Sequence, residues 1–270
     1  MINSFHLLAL DPVAFELGPL SVRWYGILIA SGVLLAYLIV QKEAKRLGFH
    51  EEFFIDLLLW MLPIAIIGAR TYYVIFEWHR YADNPIRALY IWEGGLAIHG
   101  ALIAGAITAY FFTKSRNESF WKVGDVVVPG VLVGQIIGRW GNFMNQEAHG
   151  DAVSETFLQN TPIPNWIMEQ MTINGVTYHP TFLYESLWNT VGLIIILLFR
   201  RKNPIRGEVF LFYVVWYSVG RFFIEGMRTD SLVFFGLKAA QIVSLTGIIV
   251  GLSLMIYRRW IRPVNVRYED

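Results

Sequence analysis

Seven long apolar stretches constrain this chain more than any other feature of its sequence. A helix needs about 20 mostly apolar residues to cross a bilayer. Seven segments meet that length, near residues 20–41, 53–77, 95–113, 124–143, 181–200, 207–226 and 238–257. Only 16% of the residues are charged, against roughly 25% in soluble domains. The sequence therefore predicts an all-α polytopic membrane protein, with residues 1–270 forming a single transmembrane domain.

The connection at residues 144–180 differs from the others in length and composition. It is polar, and it contains Pro162 and Pro164. Near its end, Asn174-Gly175 separates two short runs that are rich in β-branched residues, a pattern typical of a tight β-hairpin. We therefore expect a small folded cap that is inserted between the fourth and fifth helices and lies outside the bilayer.

The basic residues are unevenly distributed and predict the orientation. Fourteen Lys and Arg lie in or beside residues 42–52, 114–122, 201–206 and 258–270. The alternate connections have three, Arg80, Arg87 and Lys238. By the positive-inside rule the first set is cytoplasmic, so the N-terminus and the cap are predicted outside and the C-terminus inside. No basic residue precedes Arg23, so we expect the first helix, rather than a cleavable signal peptide, to direct insertion.

The five remaining basic residues fall within or at the ends of the apolar segments, all towards the predicted outer side: Arg23, Arg70, Arg139, Arg221 and Arg228. A guanidinium in hydrocarbon costs about 3 kcal/mol or more. Snorkelling to the headgroups is an equally good account of Arg23 and Arg228. Glu185 and Glu225 are placed to pair with arginines but leave an excess of positive charge. A lipid phosphate, which guanidinium binds bidentately, is the simplest compensating anion.

The run Gly138-Arg139-Trp140-Gly141-Asn142-Phe143-Met144-Asn145-Gln146-Glu147-Ala148-His149-Gly150 is the most distinctive in the chain. On a helix, Arg139, Asn142 and Gln146 share one face. The glycines at 130, 134 and 138 form a small-xxx-small stripe, which predicts close approach of a neighbouring helix.

His99 lies in Gly94-Gly95-Leu96-Ala97-Ile98-His99-Gly100, at the predicted start of the third helix. A histidine at a helix start is more often a structural hydrogen-bonding residue than a catalyst. The neighbouring glycines nevertheless leave the imidazole open, and imidazole is well suited to accept a proton near neutral pH. Both roles stay open on the residues alone.

Several chemistries lack their sequence elements. There is no cysteine, so a thiolate metal site and an enzyme cysteine nucleophile are excluded. The chain also has no His-Glu-x-x-His, no Gly-x-Ser-x-Gly and no Walker-type glycine loop. We therefore expect no metal and no cofactor.

The motifs together resemble the bacterial prolipoprotein diacylglyceryl transferases over nearly the whole chain. The resemblance is carried by Arg23-Trp24-Tyr25-Gly26, Gly68-Ala69-Arg70, residues 94–100, 138–150 and 179–185, and Gly220-Arg221 through Arg228. It implies transfer of a diacylglyceryl group from phosphatidylglycerol to the lipobox cysteine of a prolipoprotein signal peptide. The products are a thioether and glycerol-1-phosphate. It further implies a bacterial cytoplasmic membrane location with the active site on the extracytoplasmic side, and no nucleic-acid partner.

The resemblance also assigns roles to residues. Catalytic roles fall on His99, Arg139 and Arg221, with His99 as the candidate base and thiolate stabilisation by the arginines as the rival account. The expected substrate-binding residues are Tyr25, Arg70, Asn142, Asn145, Glu147, Gly150, Glu185, Glu225 and Arg228. Without the resemblance, Tyr25 reads more simply as an interfacial aromatic residue.

Two other functions fit a chain with charged residues in its membrane helices. A transporter needs polar groups near the bilayer midplane, often within inverted repeats, whereas the predicted inner helix halves here are mostly Leu, Ile, Val and Phe. A scaffold that only binds anionic lipid would need the arginines but not an open histidine.

Overall fold

The computed structural model describes residues 10–18, 20–228, 233–234 and 236–270. The predicted placement of the N-terminus concerns residues before Leu10 and lies outside the described range. The described part of the chain is mainly helical, as the sequence predicts.

Seven long helices in the described residues correspond to the seven predicted segments. They are α1 (Trp24–Arg46), α2 (Phe53–Phe76), α3 (Ile98–Ser115), α4 (Phe120–Met144), α7 (Thr181–Arg200), α8 (Glu208–Gly226) and α9 (Ala239–Ile256), with the short α5 (Glu155–Asn160) and α6 (Asn165–Gln170) between α4 and α7. Within the described part of the chain, six are long and apolar enough to cross a membrane. The exception is α3, which carries His99 near its start and Lys114 near its end. A polytopic all-α membrane protein is therefore confirmed, while a seventh span stays a prediction.

The chain divides into two compact units. One contains the residues up to Val40 and from Val127 onward, and the other runs from Gln41 to Val126. The single-domain organisation and the membrane orientation stay predictions.

In the first unit, the glycine stripe of α4 faces α1. A Cβ on Gly130 would lie 2.8 Å from the carbonyl oxygen of Ala36, and one on Gly138 would lie 3.6 Å from Ile29. A Cβ on Gly32 would lie 3.6 Å from the backbone of Gly134. The predicted close approach along the small-residue stripe is confirmed.

Two tryptophans join α7 to α8. The rings of Trp188 and Trp216 stack with centroids 4.3 Å apart. Each indole N–H donates to the backbone carbonyl of the other residue, at 2.9 and 3.1 Å. Glycines at 192 and 220 make room for the rings, since a Cβ at either would collide with an indole. This reciprocal pair sets the register of the two helices.

Residues 144–180 form a folded segment, as the sequence predicts. Strands β3 (Thr172–Ile173) and β4 (Val176–Thr177) pair antiparallel around Asn174-Gly175, so the predicted hairpin is confirmed. The segment packs onto the ends of α4 and α7 through a buried apolar cluster of Phe143, Ile167, Met171 and Phe182. Its placement outside the membrane stays a prediction.

The sequence interpretation missed two further hairpins. Strands β1 (Val13–Leu17) and β2 (Leu20–Arg23) pair ahead of α1, and β5 (Val233–Phe234) and β6 (Leu237–Lys238) pair ahead of α9. In the second unit, α2 and α3 meet backbone to backbone, since a Cβ on Gly68 or Gly100 would collide with the facing helix.

Candidate active site

The first unit assembles an ion-pair network from three helices. Glu185, in the first turns of α7, forms an ion pair with Arg139 of α4 at 2.5 Å through Oε2, and its Oε1 accepts a hydrogen bond from Arg221 of α8 at 2.8 Å. Arg221 also pairs with Glu225 at 2.5 Å. The expectation that both carboxylates pair with arginines is confirmed, and Glu185 joins the two arginines that were assigned catalytic roles.

Burial in this network differs between its anions and its cations. The side chains of Glu185 and Glu225 are 5% and 6% exposed, whereas those of Arg139 and Arg221 are 20% and 18% exposed. Arg228 lies 4.0 Å from Glu225 and belongs to the same cluster. Arg139 and Arg221 are each partly exposed, so the exposed parts of their guanidinium groups can receive an anion.

Lys238 adds a further cation to this end of α8. Its ammonium donates to the backbone carbonyl oxygens of Glu225 and Gly226, each at 3.0 Å, and to that of Arg228. The sequence interpretation counted Lys238 only towards membrane orientation. Nothing in its local sequence signals the contact.

In the segment of residues 138–150, helix α4 ends too early for Arg139, Asn142 and Gln146 to share one helical face. Because α4 ends at Met144, Gln146 does not extend the face of Arg139 and Asn142, and that part of the prediction is wrong. Gln146 instead adopts a positive φ of 53° and donates to the carbonyl oxygen of Gln170 at 2.6 Å. This bond ties the end of α4 to the cap.

Two asparagines and a glutamate follow Arg139 closely. Asn142 donates to the Oε1 atom of Glu147 at 2.8 Å, so these predicted substrate-binding residues lie together. The Oδ1 atom of Asn145 is buried without a hydrogen-bond partner among the described residues. Buried polar atoms are nearly always satisfied, so this oxygen is available to a donor from a ligand or water.

Gly150 and Arg228 are brought together by the backbone. The two residues form an antiparallel bridge, and the Gly150 N–H donates to the His179 carbonyl oxygen at 3.0 Å. A Cβ on Gly150 would lie 2.8 Å from the His179 Cβ and 3.1 Å from the Met227 carbonyl oxygen. Glycine is therefore needed for the cap to approach the end of α8 and hold Arg228 beside Glu225.

Tyr25, in the first turn of α1, packs its ring against Gly141 of α4. A Cβ on Gly141 would lie 2.7 Å from the Cδ2 atom of that ring. The residue is 37% exposed, so Tyr25 packs against α4 and is still partly open beside it.

His99 and Arg70 belong to the second unit. His99 is the second residue of α3, and its exposed ring lies 6.0 Å from that of Tyr72 between centroids. The prediction that its imidazole is sterically open is confirmed. Its catalytic role stays a prediction.

The guanidinium group of Arg70 is occupied by the protein itself. Its three nitrogens donate five hydrogen bonds of 2.5–3.2 Å to backbone carbonyl oxygens, those of residues 87, 88, 90, 94 and 95. The residue is 6% exposed, and its guanidinium carbon lies 5.1 Å from the centre of the Tyr81 ring. A guanidinium has five N–H donors, so direct substrate binding by Arg70 would require a bond to the loop to break.

The part of the chain that the structure describes contains no cluster of side chains suited to bind a metal ion. No group of three or more His, Asp or Glu side chains there is placed to hold a metal ion.

The helices and the ion-pair network together define a multi-pass membrane protein with an anion-receptive cluster of arginines. Its sequence matches the family model of prolipoprotein diacylglyceryl transferase over residues 12–257. The chain belongs to this family of bacterial membrane transferases.

Curated relatives agree with the family model. The chain is 58% identical to the phosphatidylglycerol–prolipoprotein diacylglyceryl transferase of Lysinibacillus sphaericus over 267 residues, covering 98% of both chains. It is 53% identical over 262 residues to those of Bacillus velezensis and Geobacillus kaustophilus, covering 97% of each chain. These relatives give no support to the transporter and scaffold alternatives.

Proposed function

We propose that this protein transfers the diacylglyceryl group of phosphatidylglycerol to the lipobox cysteine of prolipoproteins, the first step of lipoprotein maturation. The observation that carries the proposal is the joining of Arg139 and Arg221 through one buried carboxylate, with both guanidinium groups left partly exposed. The names of the relatives supply the two substrates.

The reaction exchanges a carbon–oxygen bond for a carbon–sulfur bond. The acceptor sulfur attacks the glyceryl carbon that carries the phosphate ester and forms the thioether. The carbon–oxygen bond breaks, and its electron pair leaves with the phosphate oxygen as glycerol-1-phosphate. Negative charge therefore grows on the phosphate, where preorganised guanidinium groups stabilise the transition state more than the ground state.

Arg139 and Arg221 are suited to this task by their attachment to Glu185. A single carboxylate orients both guanidinium planes, and its burial keeps water from competing for them. Glu225 holds Arg221 from its other side. Asn142, Asn145, Glu147 and Tyr25 are further substrate contacts in this proposal, while Gly150 and Arg228 shape the cap side of the cluster.

The acceptor thiol must lose its proton before or during attack. A free thiol has a pKa of about 8.5, so it is mostly protonated at neutral pH. His99 is the proposed base, because its imidazole is exposed at the start of α3. The proton passes from the sulfur to the imidazole as the carbon–sulfur bond forms.

Orientation and specificity complete the proposal. The active site faces the extracytoplasmic side, α3 completes seven spans, and the cap lies outside the bilayer. The acyl chains stay in the outer leaflet, and only the headgroup enters the polar cluster. The protein partner is a signal peptide whose lipobox supplies the cysteine. The absence of cysteine from this chain is consistent with direct transfer to that acceptor.

Transfer is tested with purified protein in vesicles that contain phosphatidylglycerol labelled in its diacylglyceryl group. A lipobox peptide should acquire the label through a thioether, with one glycerol-1-phosphate released for each peptide modified. A peptide with serine in place of the cysteine is the matched control and should stay unlabelled. Binding of the lipid without any transfer would refute the enzymatic proposal and favour a lipid-binding scaffold.

A further inference from the structure

The connection between α2 and α3 folds back along the side of α2. Arg70 lies six residues before Phe76, the last residue of that helix, which corresponds to about 9 Å along the axis. The carbonyl groups of residues 87–95 nevertheless reach its guanidinium. The connection therefore returns to the depth of Arg70 before α3 begins.

Irregular backbone at such a depth needs internal hydrogen-bond partners. Residues 78–93 contain three short 3-10 turns, and Gly94 and Gly95 have positive φ values of 85° and 73°. Non-helical backbone is tolerated at membrane depth only where its polar groups are satisfied within the protein. Arg70 satisfies five of the carbonyl groups. Lysine has only three donors and lacks the planar fork.

The same contacts set where α3 starts. The Ala97 N–H donates to the Ala69 carbonyl oxygen at 3.1 Å, so the entry to α3 is bonded directly beside Arg70. His99 follows two residues later. A Cβ on Gly95 would lie 2.6 Å from the Nη1 atom of Arg70, which shows how closely the loop packs on the guanidinium.

We propose that Arg70 is a positioning residue for His99. It holds residues 87–95 against α2, and α3 then begins, with His99 in its first turn, at the level of Ala69. The proposal rests on the proposed role of His99 as the base. It replaces the sequence-based expectation that Arg70 binds the substrate.

A double-mutant cycle tests the link to His99. Arg70→Lys should lower kcat by about 10–100-fold with little change in KM for phosphatidylglycerol, because a displacement of about 1 Å can cost 10²-fold in rate. In a His99→Asn background the same change should cost less than about threefold, because residues that act as a unit are non-additive. Fully multiplicative losses, or a rise in KM alone, would overturn the proposal.

A second measurement reports on the loop without using activity. Hydrogen–deuterium exchange of the full-length protein in nanodiscs should be faster for the segment 85–97 in Arg70→Gln than in wild type. The Ala97 amide, which is bonded to Ala69, should show the increase. Unchanged exchange would overturn the claim that Arg70 holds the loop. If exchange rises while His99→Asn keeps the wild-type rate, the link to His99 is overturned and the labelled-lipid assay still decides the function.

Two neighbouring glycines provide a matched pair if the Arg70 variants fail to fold. Both have positive φ, so alanine strains the backbone at either position. At Gly95 the new Cβ would crowd Arg70 and the neighbouring Tyr73 ring, whereas no described atom beyond its chain neighbours lies within 4 Å of a Cβ at Gly94. Gly95→Ala should therefore lower kcat at least about tenfold more than Gly94→Ala. Equal losses would overturn the proposal.

Discussion

Glu185→Asp isolates the geometric role of the ion-pair network, because it keeps every charge and moves only one carboxylate. Removing one methylene withdraws the carboxylate by about 1.5 Å, one carbon–carbon bond. The present distances of 2.5 Å to Arg139 and 2.8 Å to Arg221 would grow to about 4 Å if the helices stay in place. The Trp188–Trp216 pair gives α7 and α8 little freedom to follow.

Two magnitudes follow from this displacement. Misplacing the guanidinium groups by about 1 Å should lower the transfer rate by about 10²-fold. Loss of a buried ion pair costs about 3–5 kcal/mol, and we expect the lower end because Arg139 and Arg221 are 20% and 18% exposed. The rate is measured with labelled phosphatidylglycerol and a lipobox peptide, and the stability by thermal unfolding in the same detergent.

Glu208→Asp is the matched control for stability. Glu208 is also buried, at 2% exposure, and pairs with Arg259 at 3.0 Å, but it lies at the opposite end of α8. The Glu208→Asp variant should lose a comparable amount of stability. Its transfer rate per folded molecule should stay within about threefold of wild type, which corresponds to ~0.6 kcal/mol in activation free energy. A Glu185→Asp rate that also stays within about threefold would refute the argument that this carboxylate orients the arginines.

Four further outcomes are expected. Arg139→Lys keeps the charge but loses the planar fork, so the transfer rate should fall by about 10²–10³-fold with insertion unchanged; a near-wild-type rate would make Arg139 a structural partner of Glu185 and not a catalytic residue. His99→Asn should lower the rate by about 10²–10⁴-fold, and a pH–rate profile should show the deficit shrinking above pH ~8.5, where the acceptor thiol ionises unaided; a flat deficit with weaker lipid binding would remove His99 from the proton transfer. Gly150→Ala should reduce both the melting temperature and the transfer rate, because its Cβ meets His179 at 2.8 Å; full activity would contradict the close packing. Cysteines introduced by Asn160→Cys and Lys202→Cys into this cysteine-free chain should react oppositely with an impermeant thiol reagent in intact cells, the former from outside; equal labelling would contradict the predicted orientation.

The helices and the central ion pairs could be predicted from the sequence, for simple physical reasons. Apolar runs of span length have few alternatives to a helix in lipid. Charges are so scarce in these segments that Glu185 and Glu225 had few possible partners apart from the arginines, and the pairs formed as expected.

The role of Arg70 could not be predicted in the same way. Its five acceptors are backbone carbonyl groups spread over residues 87–95, and every residue type carries a carbonyl group. No side-chain pattern therefore marks such a contact. An arginine near a helix end looks the same in sequence whether it faces a lipid phosphate or a folded loop.

The end of α4 shows a different limit. Gln146 and Ala148 adopt left-handed backbone conformations at φ values of 53° and 57°, which non-glycine residues seldom do. Such strain persists only where tertiary contacts impose it, and here Gln146 bonds to the cap at Gln170. By contrast, the hairpin of β1 and β2 could be predicted from the sequence, because Gly18-Pro19 separates two short runs rich in apolar residues.

The Trp188–Trp216 pair has a consequence for how the site exchanges partners. Both of its hydrogen bonds join uncharged groups, so dissolved ions do not screen them as they screen an exposed ion pair. An incoming phosphate that binds the exposed part of Arg221 therefore meets helices whose register is held by contacts it cannot weaken. Lipid arrival and product departure at this cluster are then expected to leave the register of α7 and α8 unchanged.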